Sequence, residues 1–181
     1  MPIPKPLPPF EFLDENLTVD PTSPSGLRWK KDRKFGKIKA GFVAGYKRKS
    51  DNYWVVSLRF DKKCLYMAHR IVYFLCNKID PANNYIDHQT CLANTEDNLR
   101  IANASENQWN KNKPNTYGGK KPSSKYKGVH RDKNKNRWCA SIQYRNKPIF
   151  IGLFLNEVEA AQAYNEAASK HFGEYARLND L

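Results

Sequence analysis

The middle of the chain carries an aspartate, a histidine and two asparagines whose types suit metal-assisted hydrolysis of a phosphate ester. Asp87 and His88 are adjacent, and Asn98 and Asn107 follow along the chain. Carboxylate and amide oxygens suit a hard divalent cation, so Asp87 and Asn107 are the candidate metal ligands. A neutral imidazole, with a reference pKa of about 6.5, can take a proton from water, which makes His88 the candidate base. Asn98 could orient the imidazole ring through a hydrogen bond.

Two helices and a short strand are predicted around these residues. Apolar residues recur at helical spacing in 67–77, which predicts a helix with one buried stripe. Residues 85–86 predict a short strand that runs into the Asp-His pair. Ser105 is expected to cap a second helix, which carries Asn107. His69, at the start of the first helix, is expected to be a capping or packing residue.

This order of motifs resembles the HNH nuclease family, particularly its homing-endonuclease branch. Asp87-His88 matches the first motif, Asn98 before Leu-Arg the second, and Asn107 in Ser-Glu-Asn the third. Asn94 is the other asparagine available for the second position, and the Asn-Leu-Arg context favours Asn98. The resemblance implies a ββα-metal finger, one divalent cation on the Asp87 and Asn107 equivalents, and scission that leaves 5′-phosphate and 3′-hydroxyl ends. Mg²⁺ is the expected ion, with Mn²⁺ as the alternative.

Ordinary structural chemistry is the competing explanation for these residues. Asp-His pairs and asparagine-rich loops are common in turns and helix caps, and any one of the four residues alone would favour that explanation. Four of them in order, in a chain of net charge +13, favour a nuclease site.

Charge and composition narrow the partner and the class of protein. Lys and Arg total 31 of the 181 residues against 18 Asp and Glu, an excess that points first to nucleic acid and second to an acidic membrane surface. No apolar run is long enough to span a membrane, and the N-terminus lacks a secretory signal, so a cytoplasmic protein is expected. The resemblance to homing endonucleases implies that a phage or bacterium encodes it. The four cysteines form no C-x-x-C pair, so no zinc site is expected.

The predicted class is α+β, with four successive regions. Residues 1–26 are a proline-rich extended tail and lead-in, and 27–110 form the HNH-type nuclease domain. Within that domain, 42–46 and 53–60 predict a β-hairpin near a basic cluster of Lys30, Lys31, Arg33, Lys34, Lys37 and Lys39. Residues 111–122 are a basic linker whose candidate DNA-contacting residues are Lys111, Lys113, Lys120 and Lys121.

The remaining segment, 123–181, predicts three strands, at 126–131, 137–145 and 148–154, followed by a helix at 157–172. Nearly all of it resembles an AP2 DNA-binding domain. That resemblance implies a three-stranded antiparallel sheet that enters the major groove and is braced by the helix. The candidate DNA-binding residues are Lys127, His130, Arg131, Lys133, Arg137, Ser141, Gln143, Arg145 and Phe150. Trp138, Phe154 and Tyr164 are expected in the core between sheet and helix.

Together these patterns predict a site-specific DNA endonuclease that cuts or nicks double-stranded DNA. It would act as a monomer or weak dimer, without an obligate protein partner. The alternative is a non-catalytic transcriptional regulator of AP2 type, whose first domain only positions it. An RNA-binding or ribosome-associated protein fits the charge but not the spacing of the central motifs.

Overall fold

The computed structural model describes residues 4–33 and 37–181 and separates into two compact units, Met1–Ala104 and Ser105–Leu181. It mixes four α-helices with small antiparallel sheets in the described residues, which agrees with the α+β class. The first three residues of the predicted tail, and Lys34 of the predicted basic cluster, lie outside the described residues. Of the helices that the structure describes, none is both long and apolar enough to cross a membrane.

The helices and strands follow one another in this order along the chain. The helices are α1 (Phe10–Asn16), α2 (Ala68–Asn77), α3 (Ala104–Trp109) and α4 (Glu157–Phe172). The strands are β1 (Leu17–Val19), β2 (Leu27–Trp29), β3 (Tyr46–Lys47), β4 (Trp54–Arg59), β5 (Lys63–Met67), β6 (Tyr85–His88), β7 (Leu99–Ala102), β8 (Val129–Asp132), β9 (Arg137–Tyr144) and β10 (Lys147–Phe154). All strand pairs among them are antiparallel: β1–β2, β3–β4–β5, β6–β7 and β8–β9–β10.

Helix α2 lies at the centre of the core of the first unit. Its apolar stripe, including Ile71 and Val72, is fully buried against α1 and the neighbouring strands. The predicted helix at 67–77 is confirmed, with its start one residue later. Arg70 on this helix donates hydrogen bonds to the backbone carbonyls of Ala82 and Asn84, just before β6. The helix therefore fixes the backbone just before β6, the strand that carries the Asp-His pair.

The predicted hairpin is confirmed and extended into a three-stranded sheet. Strands β3 and β4 form the hairpin, but β3 shares only Tyr46 with the predicted strand at 42–46, and β5 adds an edge strand that was not predicted. Alternate residues of β4, such as Val56 and Leu58, belong to the core, and the opposite face of the sheet is turned away from it. The lead-in region also contains α1 and β1, which its mixed apolar and acidic sequence did not predict, and β2 follows at the start of the predicted nuclease domain.

The second unit packs the sheet β8–β9–β10 against α4. The helix has the predicted bounds, and the strands lie within the predicted segments to within a few residues at their ends. Tyr164 is buried, with Trp138 and Phe154 partly buried against the core, as expected. Gly128 permits this packing, since a Cβ there would lie 1.9 Å from Cδ2 of Tyr164.

The boundary between the units lies earlier than the predicted start of the linker at 111. The structure groups residues 105–122 with the second unit, and α3 begins at Ala104 rather than with Ser105 as its cap. Trp109 is the physical reason, because its ring stacks on Phe172 at 4.6 Å between centroids and also meets Tyr144. A large aromatic side chain buried in this way fixes the segment that carries it.

Candidate functional site

The hairpin β6–β7 positions the Asp-His pair. In its register Asp87 lies opposite Arg100 and His88 lies opposite Leu99, so Asp87 and His88 are the last two residues of β6. Both side chains are buried, although neither is apolar. Burial of polar groups is costly unless they are hydrogen-bonded or paired, so their partners define the site.

Arg100 is the partner of the Asp87 carboxylate. Its Nη2 lies 3.1 Å and its Nε 3.3 Å from Oδ2 of Asp87. Only 12% of the Arg100 side chain and 7% of the Asp87 side chain are exposed, so the pair is held away from bulk water. The guanidinium offsets the carboxylate charge and fixes its direction. Arg100 was not predicted as a site residue. A predicted strand extended through His88 would have placed Arg100 opposite Asp87.

Asn94 fixes the imidazole ring of His88. The Nε2 atom of His88 and the Oδ1 atom of Asn94 are 2.8 Å apart, and Nδ2 of Asn94 donates to the carbonyl oxygen of Ser25 at 2.9 Å. Because the amide nitrogen donates to the Ser25 carbonyl, the amide oxygen faces the ring and accepts a hydrogen bond from Nε2–H. The ring is therefore the tautomer with hydrogen on Nε2, and Nδ1 carries the basic lone pair.

The surroundings of His88 keep its ring neutral. The ring lies 5.0 Å from that of His69 and 5.7 Å from that of Tyr53. Burial lowers the pKa of His88 below its usual 6.5, and the hydrogen bond with Asn94 and the charge of Asp87 offset only part of that effect. Burial lowers the pKa of His69 still further. A neutral imidazole near pH 7 is the form that a general base requires.

His69 is a buried packing residue, as the sequence analysis expected. It is 6% exposed and contacts the rings of His88 and Tyr53. In the part of the chain that the structure describes, its Nδ1 has no hydrogen-bond partner. A charged His69 would therefore be strongly disfavoured beside His88.

Asn98 has a different place from the one predicted for it. The sequence predicts that Asn98 orients the His88 ring through a hydrogen bond, but Asn94 makes that hydrogen bond. Its Nδ2 donates to the carbonyls of Cys91 and Ala93 at 2.7 and 2.8 Å, and its Oδ1 accepts from the backbone N–H and hydroxyl of Thr90. Asn98 thus closes the loop between β6 and β7, and it acts on His88 only through that loop.

A close approach from the N-terminal part of the chain completes the site. Gly26 has a φ of +75°, and a Cβ there would lie 2.4 Å from the carbonyl oxygen of Asn94. Glycine adopts this conformation without strain, and it alone lacks the Cβ that would fill this space. The turn that the sequence predicts at 21–26 therefore brings the Ser25 carbonyl to the Asn94 amide.

The chemistry of the available donors suits a hydrated hard cation. Within the described ranges, no cluster of three or more His, Cys, Asp and Glu side chains could hold a metal ion. The predicted set combines one carboxylate, Asp87, with the amide of Asn107, which lies partly buried on α3 in the second unit. Mg²⁺ commonly uses one or two carboxylates and fills its other positions with water and phosphate oxygens. The residue types therefore fit such an ion, and they do not form a closed structural zinc site.

The second unit gathers a separate group of candidate residues on the outer face of its sheet. Ser141 lies opposite Phe150, and Gln143 lies opposite Pro148, in the β9–β10 register. Residues that alternate with them, such as Ile142, are buried against α4. The outer face thus presents five of the predicted DNA-binding residues together: His130, Arg137, Ser141, Gln143 and Phe150. Phe150 is 63% exposed, which is unusual for a large apolar side chain.

Arg131 does not belong to that face. It lies opposite Trp138, its guanidinium stacks 5.0 Å from the Trp138 ring, and it donates to Asn136. Lys133 and Arg145 are exposed in the turns at the ends of the strands. Lys111, Lys120 and Lys121 are also exposed.

Lys127 and Lys113 have internal partners rather than free ammonium groups. Nζ of Lys127 donates to the carbonyls of Trp109 and Lys111, and Nζ of Lys113 donates to those of Tyr126 and Val129, both at 2.7 Å. Burial lowers the pKa of Lys127 to about 8. Two of the three N–H donors on each lysine are thus engaged within the unit, and one remains for the predicted DNA contact.

Comparison with known proteins finds relatives of both predicted kinds. The chain is 36% identical over 117 residues to an uncharacterized HNH endonuclease of Acanthamoeba polyphaga mimivirus, a match that covers 62% of the chain. It is 39% identical over 66 residues to an AP2/ERF and B3 domain-containing protein of Oryza sativa subsp. japonica, and 36% identical over 72 residues to a dehydration-responsive element-binding protein of Arabidopsis thaliana. These two matches cover 36% and 34% of the chain. The predicted pairing of HNH and AP2 resemblances is confirmed.

The chain spans only part of each of these relatives. The match covers 57% of the mimiviral protein, and 20% and 29% of the two plant proteins. No protein-family model matches the chain.

Proposed function

We propose that the chain is a DNA endonuclease in which the first unit hydrolyses a phosphodiester bond and the second unit selects the DNA. The observation that carries the proposal is the state of His88, a buried imidazole whose Nε2 is fixed by Asn94 and whose lowered pKa keeps it neutral. It lies next to the ion-paired carboxylate of Asp87. The match to an HNH endonuclease supports the same assignment.

His88 acts as the general base in this proposal. Its Nδ1 takes a proton from the water that attacks the phosphorus atom, while Asn94 holds the Nε2–H and keeps the ring from turning. The bond from phosphorus to the 3′ oxygen breaks in the same step, and the leaving 3′ oxygen takes a proton from solvent water. The negative charge of the neighbouring Asp87 favours the imidazolium that forms. The burial that lowers the pKa of His88 also ensures that the ring is ready to accept a proton before each turnover.

The carboxylate of Asp87 is the proposed ligand of a divalent cation, Mg²⁺ or Mn²⁺. When bound, the ion supplies positive charge to the phosphate oxygens as negative charge develops on them. Arg100 orients the Asp87 carboxylate through its two contacts with Oδ2. Asn98 contributes by holding the loop that follows His88.

The second unit is proposed to bind duplex DNA as an AP2-like sheet. A β-sheet of this size can enter the major groove, where each base pair presents a distinct pattern of donors and acceptors. Ser141 and Gln143 can hydrogen-bond to base edges, and Phe150 offers an apolar contact. Arg137, Lys133 and the exposed linker lysines are suited to phosphate contacts, which position the protein without reading sequence.

The proposal is tested by incubating the purified full chain with supercoiled plasmid DNA and Mg²⁺ or Mn²⁺. We expect nicked or linear DNA with 5′-phosphate and 3′-hydroxyl ends, and no product when a chelator removes the ion. A wild-type chain that binds the plasmid but cuts it with neither ion would overturn the proposal.

A regulator without catalytic activity is the second candidate. The AP2/ERF matches favour it, since they concern DNA-binding proteins and cover a third of the chain. It predicts tight, sequence-dependent duplex binding without scission. A preference for structured RNA over duplex DNA would instead contradict both candidates.

A further inference from the structure

The basic side chains of the first unit fall into two classes, and the first class is paired with acids. The paired residues lie mainly around the basic cluster noted in the sequence: Arg28 with Asp20, Lys30 with Asp14, Lys31 with Glu15, Lys39 with Asp32, and Arg48 with Asp51. Each of these cations is thus neutralised locally. A phosphate that approached one of them would have to compete with a carboxylate.

The second class has no ion pair within the described residues, and three of its members lie together at the turn between β4 and β5. Arg59, Lys62 and Lys63 are exposed, and within the described residues none of the three makes an ion pair or a side-chain hydrogen bond. Asp61 lies in the same turn, but it is not paired with any of them. With three cations and one acid, the turn keeps a net positive charge, and its cations are not paired as those of the first class are.

The register of the hairpin brings two of these cations face to face. Arg59 and Lys63 are directly opposite each other in the β4–β5 pair. Like charges at directly opposed positions of an antiparallel pair repel each other and destabilise the sheet. An anion that lies between or above the two side chains reduces this repulsion.

Next to the turn this face of the sheet is exposed, whereas Val55, further along the same face, is buried. Ser57 and Leu65 form the next pair on this face, and Leu65 is 45% exposed. The opposite face, with Val56 and Leu58, is the one that packs on the core. The outer face therefore combines the exposed apolar Leu65 with a cationic edge, and the exposed Tyr46 lies on the same face.

We propose that this outer face, with Arg59, Lys62 and Lys63 at its edge, docks on the phosphate backbone of duplex DNA. The inference rests on the proposed function and adds to it a second DNA contact, on the catalytic unit. Charge complementarity supports this occupant, since duplex DNA carries about one negative charge per 1.7 Å of its axis. The paired cations of the first class contribute little to this contact, because each already has its own carboxylate.

Two triple variants of equal charge separate the two classes. The test variant is Arg59→Gln/Lys62→Gln/Lys63→Gln, and the matched control is Lys30→Gln/Lys31→Gln/Lys39→Gln. Both remove three positive charges from the full chain. Thermal unfolding of each verifies that it is folded, and exposed ion pairs such as those of the control are worth little to stability.

Binding to a short random-sequence duplex is measured by fluorescence anisotropy over a series of salt concentrations. Each lost phosphate contact lowers the slope of log K against log salt by about 0.9, so the test variant should lose about 2.7 in slope and at least about ten-fold in affinity. The control should keep the wild-type slope and an affinity within about two-fold.

The outcomes distinguish this inference from the proposed function. If the wild type binds the duplex and the two variants lose affinity equally, net charge alone explains the effect and the inference is wrong. The same conclusion follows if the test variant binds like the wild type. If the wild type does not bind duplex DNA at all, the proposed function fails and the docking face fails with it.

Discussion

The two units treat their polar residues in opposite ways. In the first unit, the side chains of Asp87, His88 and Asn98 are buried, and each is held by hydrogen bonds or an ion pair with a residue outside this trio. In the second unit, Gln143 and Phe150 stand exposed on the outer face of a sheet. The first arrangement fixes geometry and shifts the pKa of the histidine, and the second leaves side chains accessible over a broad surface.

The buried, fixed groups of the first unit suit a reaction, and the exposed sheet face of the second unit suits binding. Buried polar groups cost free energy unless every partner is in place, so they are retained where their precise placement has a use. Exposed residues on a rigid sheet cost little and can contact a large partner. The difference predicts that variants in the first unit alter chemistry or stability, while variants of the sheet alter affinity and sequence preference.

The largest effect is expected for Asp87→Asn. The amide oxygen can still accept from Arg100, so the fold is kept, but the anionic metal ligand is lost. We expect cleavage at limiting Mg²⁺ to fall by at least about 100-fold, since even the groups behind metal ligands are worth about 10- to 100-fold. A Mg²⁺ titration of cleavage checks this, with the exposed Asp97→Asn as control. An unchanged titration curve would exclude Asp87 as a ligand.

Asn98→Ala should be the next largest change and should affect stability. It removes four hydrogen bonds that close the loop after β6, and it leaves the carbonyls of Cys91 and Ala93 without that donor. We expect a loss of about 2 kcal/mol in the free energy of unfolding, measured by urea denaturation. Asn83→Ala, at an exposed position, is the matched control and should change stability little. Equal stability of the two variants would show that the loop does not need Asn98.

Variants of the sheet should weaken DNA binding without altering the chemical step. Gln143→Ala and Phe150→Ala each remove an exposed contact, and we expect a loss of about 1 to 2 kcal/mol in binding free energy with relaxed sequence preference. Cleavage at saturating DNA should keep its wild-type rate. Gln162→Ala on the exposed side of α4 is the control and should bind normally. A slower chemical step in the sheet variants would mean that the two functions are not separate.

The smallest effect is a pH dependence of stability that comes from the first unit. Burial lowers the pKa of His69 and His88 in the folded chain, so the unfolded chain binds more protons as the pH falls below about 6.5. Stability should therefore decrease as the pH falls through that region. His69→Phe should flatten the dependence, whereas His130→Phe at an exposed position should not. Urea denaturation across this pH range would contradict the account if all three proteins behaved alike.

The sequence predicted the second unit better than the first. Regular alternation in 137–154 and the alanine-rich stripe of α4 are local signals, and the structure confirms them. The partner of Trp109, in contrast, is Phe172, far along the chain, so no local pattern could have moved the boundary to 104. The same holds for Lys127, whose type indicates a phosphate contact but whose ammonium is engaged by two backbone carbonyls.

In the candidate site the sequence predicted the residues but not all of their partners. The motif spacing singled out Asp87, His88 and Asn98, and the structure brings these three to one hairpin and its loop. Which asparagine contacts the ring depends on a carbonyl from residue 25, and that contact requires Gly26. Such a long-range contact leaves no periodic signal, so the choice between Asn94 and Asn98 needed coordinates.

The most direct test of the central claim is to compare wild type and His88→Ala on the same plasmid DNA, with cleavage and binding measured in parallel and both strands end-mapped. The account predicts a loss of cleavage of at least about 100-fold, with DNA affinity within a few-fold of wild type, because the base acts in the transition state. Cleavage by His88→Ala at the wild-type rate, with the same ends, would contradict it.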